Sequence, residues 1–142
     1  MNRHRRPAAQ YAREEMKRLH HLVTADTASL EAGRLAFLRD RLGHEGCRDF
    51  IDETVFLIVE RLSRLNRLVG EGEFGEAYHA AYSVHLLSDQ IGISGLSRVA
   101  RDAMDCAATG DARALPAVVA RLERVAEESL FLVVDLADRF EQ

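Results

Sequence analysis

The sequence predicts an all-α protein, an antiparallel up-down-up-down four-helix bundle with additional N-terminal helices, and three observations carry that expectation. Tryptophan is absent, only two prolines occur and 47% of residues are hydrophobic, while Ala, Leu, Arg and Glu recur throughout. That composition suits helices and leaves few β-branched clusters for strands. Apolar residues return at steps of three and four along most of the chain, and the connections between the last four periodic stretches are short, which makes consecutive helices antiparallel neighbours. At 142 residues the chain can bury one respectable core, so a single domain is expected. The bundle is placed over residues 27–142, after a basic, helical N-terminal extension over residues 1–26.

The elements follow in order. A first helix is expected over about residues 7–22, with Tyr11, Met16, Leu19 and Leu22 as its apolar face. A second begins after Asp26 or Thr27, either of which can cap it, and carries Leu30, Leu35, Phe37 and Leu38 up to Leu42 and Gly43. In the third, Ile51, Val55, Ile58, Leu62, Leu65 and Val69 alternate steps of four and three, the seam of a bundle helix; Gly70 and Gly72 end it. The fourth spans about residues 74–91 and stops at Gly92, and the fifth starts at Ser94 and stops before Gly110. Asp111 opens the sixth, whose stripe is Leu115, Val118, Leu122, Val125, Leu132 and Leu136. Pro116 sits slightly deep for a first-turn proline, so a local irregularity is expected there.

Charge and cysteine content exclude several functions. Of 19 basic and 23 acidic residues, 6 and 2 lie in residues 1–22, leaving 13 and 21 in the remainder, a net −8. Phosphate contacts need clustered positive charge, so the acidic body argues against nucleic-acid binding. Apolar runs such as residues 130–133 are far too short to cross a bilayer, and no apolar stretch follows the basic start as a secretory signal requires. Cys47 and Cys106 therefore read as reduced thiols of a cytoplasmic protein. His20, His21, His44 and Cys47 match no usual metal-ligand spacing, so no metal and no cofactor is expected. No nucleophile, base and orienting group fall together in the sequence, so catalysis independent of phosphoryl transfer is not expected.

Residues 81–96, AYSVHLLSDQIGISGL, carry the most specific signal. They resemble the acceptor helix of the histidine phosphotransfer (HPt) family, whose motif has the form A-H-[ST]-L-K-G-S-A-x-x-[IL]-G. Ala81, Ser83, Val84, Ile91, Gly92 and Leu96 stand at matching positions. The order of parts is similar as well: a covering helix, Phe50-Ile51-Asp52-Glu53 at a helix start, a short G-E-F connection, and ATGDARALPAVVARL before the last helix. The departures are concentrated. Tyr82 occupies the position of the phosphorylated histidine, His85 that of the lysine, Leu86 that of the glycine and Leu87 that of the first small residue.

At roughly 100° per residue, Ala77, Ala81, Val84, Ser88 and Ile91 form the inward stripe of this helix, and His79, Tyr82, Leu86 and Asp89 its outward side. His85 falls at the edge of the stripe, where a partly buried, hydrogen-bonded imidazole is expected. The resemblance implies that a receiver domain docks on the outward side. Relay there needs an imidazole that attacks an aspartyl phosphate beside a helping cation, whereas phenols stay protonated at neutral pH and are poor nucleophiles. The resemblance thus implies a pseudo-HPt protein of bacterial two-component signalling, binding a response-regulator receiver domain or a histidine kinase through His79, Tyr82, His85, Leu86 and Asp89. Two alternatives stand beside it. In one, His85 is the phosphoacceptor. In the other the bundle is structural, with the apolar outward patch buried in a homodimer or sealed by residues 7–22.

Overall fold

The computed structural model describes residues 30–139. Residues 1–29 and 140–142 lie outside the description, and with them the expected first helix and the N-terminal extension. Among the described residues four helices follow in chain order: α1 (Ala32–Gly70), α2 (Phe74–Gln90), α3 (Ser94–Thr109) and α4 (Ala114–Arg139). α1 packs on α2 and α4, and α3 on α2 and α4, a closed ring of neighbours that gives the expected antiparallel bundle. No strand occurs among the described residues.

The helix expected to start after Asp26 or Thr27 starts at Ala32 instead, because Leu30 and Glu31 are non-helical. It then runs into the third expected helix as one element. Gly43, at φ 75 and ψ 176, breaks the helical path between them, a conformation that a residue with a Cβ adopts only under strain. Before this kink Leu30, Leu35 and Leu38 are buried, but Phe37 and Leu42 turn outward. The guanidinium groups of Arg34 and Arg41 lie 5.0 and 5.1 Å from the Phe37 ring centre, so cations cover the aromatic face in place of a core.

Beyond the kink Ile51, Ile58, Leu62 and Leu65 are buried as expected, but Val55 and Val69 are only half-buried and Thr54 and Leu68 take the inner places. Thr54 tolerates burial because its hydroxyl donates to the Phe50 carbonyl at 2.7 Å. A similar drift affects α4. Leu115, Leu122, Val125 and Leu136 are buried, while Val118 and Leu132 yield to Val119, Ser129, Leu130 and Val133. Over 26 residues a helix of 3.6 residues per turn slips steadily from a repeat of 3.5.

The Asp111 carboxylate accepts from the backbone N–H groups of Arg113 (3.2 Å) and Ala114 (3.0 Å), capping the start of α4. The Leu115 N–H already bonds the Asp111 carbonyl at 3.1 Å, yet residues 112–113 form a turn and the helix begins only at Ala114, in keeping with the missing N–H of Pro116 interrupting the next bond of the series.

The turn between α2 and α3 is held from outside by the segment that starts α1. The Gly92 carbonyl accepts from the Glu31 N–H at 2.8 Å, and Arg34 Nε donates to the Gln90 carbonyl at 2.9 Å, so the start of α1 is fastened over the end of α2. Gly92 has φ 77, and a Cβ there would lie 2.8 Å from the Arg34 Cβ and 3.2 Å from the Glu31 carbonyl oxygen. Only glycine supplies both the left-handed backbone and the space.

Candidate functional site: the outward face of the second helix

Small residues let α2 sit deep in the bundle. Ala77, Ala81, Val84 and Ser88 are fully buried, with Ala80 and Ile91 nearly so. Ser88 satisfies its hydroxyl by donating to the Val84 carbonyl at 2.6 Å, so the inner stripe presents no unmet polar group. Anchored this way, the helix has one orientation about its axis. His79, Tyr82, Leu86 and Asp89 are exposed on its other side, with Tyr82 and Leu86 each 43% accessible.

Tyr82 belongs to an aromatic row on the flank of α2 nearer α3. Its ring stacks on Tyr78 at 6.4 Å between centres and is tilted against His85 at 6.4 Å. The His85 side chain is 12% exposed. Its Nδ1 lies 2.7 Å from the Ser97 hydroxyl and 3.2 Å from the Ser97 carbonyl oxygen, and its Nε2 lies 3.7 Å from a carboxylate oxygen of Asp89. These neighbours set the proton arrangement. When the hydroxyl donates to Nδ1, the ring proton sits on Nε2 facing Asp89, an attractive pairing. When Nδ1–H donates to the carbonyl, a bare Nε2 faces a carboxylate and gains nothing.

The outward patch expected from spacing is therefore assembled, with His85 bridging to α3 from the edge of the core. Other features needed two helices at once and were missed. On the flank of α2 nearer α1, Arg61, Arg64, Glu76, His79, Ala80 and Ser83 line a cleft of about 250 Å³. A second, shallower groove runs along α1 past Phe56, Val59, Glu60, Ser63, Arg64 and Arg67, and Phe56 is 68% exposed there. The repeat of arginine at positions 61, 64 and 67 is a three-residue spacing that was visible in the sequence.

Both cysteines are free. Burial pushes the Cys47 thiol up, despite the opposing charge of Arg39. Burial also raises Cys106, with Asp111, Asp102 and Asp105 adding to it, so neither is a ready thiolate at neutral pH. Among the described residues no three His, Cys, Asp or Glu side chains gather as metal ligands, and no helix is long and apolar enough to cross a membrane.

No protein-family model and no curated protein matches the chain. Among solved structures, the fold is similar to the crystal structure of histidine-containing phosphotransfer protein B (HptB) from Pseudomonas aeruginosa PAO1, with a TM-score of 0.72 and 23% sequence identity. The match covers 78% of this chain and 95% of that one. At that identity it is the fold that the two proteins share: a four-helix bundle of the kind found in an HPt protein.

Proposed function

We propose that this protein is a phosphorelay component of two-component signalling, acting as a non-phosphorylatable HPt-like module that binds a receiver domain or a histidine kinase through the outward face of α2. One observation carries the reading. Tyr82 stands exposed on a bundle that resembles an HPt protein, at the position where the HPt motif has its histidine. A phenol there neither attacks an aspartyl phosphate readily nor returns the phosphoryl group. Leu86, where the motif has glycine, keeps a partner's backbone at a distance and adds apolar contact area. The setting that goes with this role is the bacterial cytoplasm, with residues 1–26 as an extension outside the bundle.

Relay through His85 is the competing reading, and its surroundings weigh against it. The ring is mostly covered, and a phosphoryl group on Nε2 would be placed against the Asp89 carboxylate. Incubation with a phosphorylated receiver should leave the protein unlabelled; acid-labile label that disappears in His85→Gln would replace the docking module with a working relay. Binding is checked by titrating receivers against wild type, Tyr82→Ala and Leu86→Asp. Loss of affinity on the order of tenfold or more is expected in both variants, since aromatic and apolar groups at an interface centre carry most of its energy. Undiminished binding in both would remove the α2 face from the interface.

A further inference from the structure

The cleft between α1 and α2 has an unusual lining for the surface of an acidic protein. Arg64 has no side-chain partner among the described residues. Among the described residues Arg61 pairs with the neighbouring Glu60, at 3.2 Å, an exposed pair of a kind that contributes little and is readily exchanged. His79 and Ser83 bring a ring nitrogen and a hydroxyl to the same space, and Glu76 is the one carboxylate in the lining. Glu76 and the Glu60 carboxylate paired with Arg61 match two of the three guanidinium groups along the cleft and the adjoining groove, and Arg61, Arg64 and Arg67 together leave one positive charge in excess. Guanidinium forks and hydroxyl donors match the oxygens of a phosphoryl group, which accepts several charge-assisted hydrogen bonds at once.

Position gives the cleft its meaning. His79 lies one helical turn before Tyr82 and Ser83 directly follows it, so a partner seated on Tyr82 and Leu86 holds its rim over Arg61 and Arg64. We propose that the cleft is an anion site that reads the phosphoryl group of a phosphorylated partner docked on α2. Arg64 and Arg61 bind phosphoryl oxygens, His79 and Ser83 donate to them, and Tyr82 leaves the group where it is. No bond forms or breaks. The identity of the partner rests on the docking reading above, whereas the anion chemistry rests on the cleft alone. The protein then prefers the activated form of its partner and sequesters it, which makes it a reader of phosphorylation in place of a relay.

Two measurements on the full chain separate these layers. In the first, inorganic phosphate is titrated at constant ionic strength while backbone amide resonances are followed. Saturable shifts at His79, Ala80 and Ser83 are expected in wild type, and their loss in Arg64→Ala. In the second, receivers are titrated with and without beryllofluoride, a tetrahedral mimic of the aspartyl phosphate. The loaded form should bind on the order of tenfold tighter, the scale of one good charge-assisted contact, and Arg64→Ala should shrink the ratio of loaded to unloaded affinity to about twofold. Equal affinity for both receiver forms, or a preference that survives Arg64→Ala, overturns the anion site and leaves the docking face standing. A phosphate response confined to wild type, with no receiver bound in either form, upholds the anion site and sinks the docking reading.

Discussion

The two flanks of α2 are built in opposite ways. Toward α3 the helix is pinned: His85 bonds Ser97, Ile91, Ile93 and Leu96 are buried, and the start of α1 is fastened onto the Gly92 turn. Toward α1 its upper edge is open, with Arg64, His79 and Ser83 lining a cleft. A helix held firmly on one side and inward presents its remaining faces at a fixed angle, without needing contacts of its own there. Residues on the pinned flank therefore serve stability, and residues on the open flank and outward face are released from that constraint.

The largest effect should come from the pinned flank. In Gly92→Ala the new methyl meets Arg34 and the Glu31 carbonyl, and the residue must hold a left-handed backbone. The two costs together are expected to lower unfolding free energy by about 2–4 kcal/mol. Urea denaturation measures this directly as a shift in midpoint at constant slope. A loss below about 1 kcal/mol would mean that residues 30–34 yield easily, and that α2 is held by its inner stripe alone.

Ser97→Ala sharpens the same contrast at smaller scale. It removes the hydroxyl 2.7 Å from His85 Nδ1 but leaves the Ser97 carbonyl at 3.2 Å, so the imidazole keeps one partner. A cost of about 1 kcal/mol is expected, the usual value for one neutral hydrogen bond, against nearly none for Ser83→Ala on the open flank. Equal costs for the two serines, read from the same urea curves, would erase the distinction between the flanks.

How much of this was legible in the sequence follows the same division. The inner stripe of α2 was read correctly because Ala77, Ala81, Val84 and Ser88 repeat within one short helix, where period and position stay in phase. In the long helices α1 and α4 most of the expected stripe is buried, but Val55, Val69, Val118 and Leu132 each yield to an adjacent residue, because Thr54 hides in the core behind a polar identity and because long helices drift against a strict heptad. The join at Gly43 reads as a stop in the sequence, since a glycine signals a helix end equally well when the chain resumes its course. The cleft was not read at all. Its arginines come from α1 and its histidine and serine from α2, and only packing brings them together.

Leu86→Ala should have the smallest effect on stability and is for that reason the most discriminating. Leu86 is 43% exposed and lies on the side of α2 away from the inner stripe, so truncation removes limited buried area, and alanine is at least as good a helix former. Its urea midpoint should match wild type to within about 0.5 kcal/mol. An apolar side chain that the fold does not need, beside Tyr82 on the outward side of α2, is then free to meet the partner proposed for that face. If Leu86→Ala instead destabilises the protein by about 2 kcal/mol or more, the residue is already covered in the intact chain, and the outward face of α2 is occupied before any partner arrives.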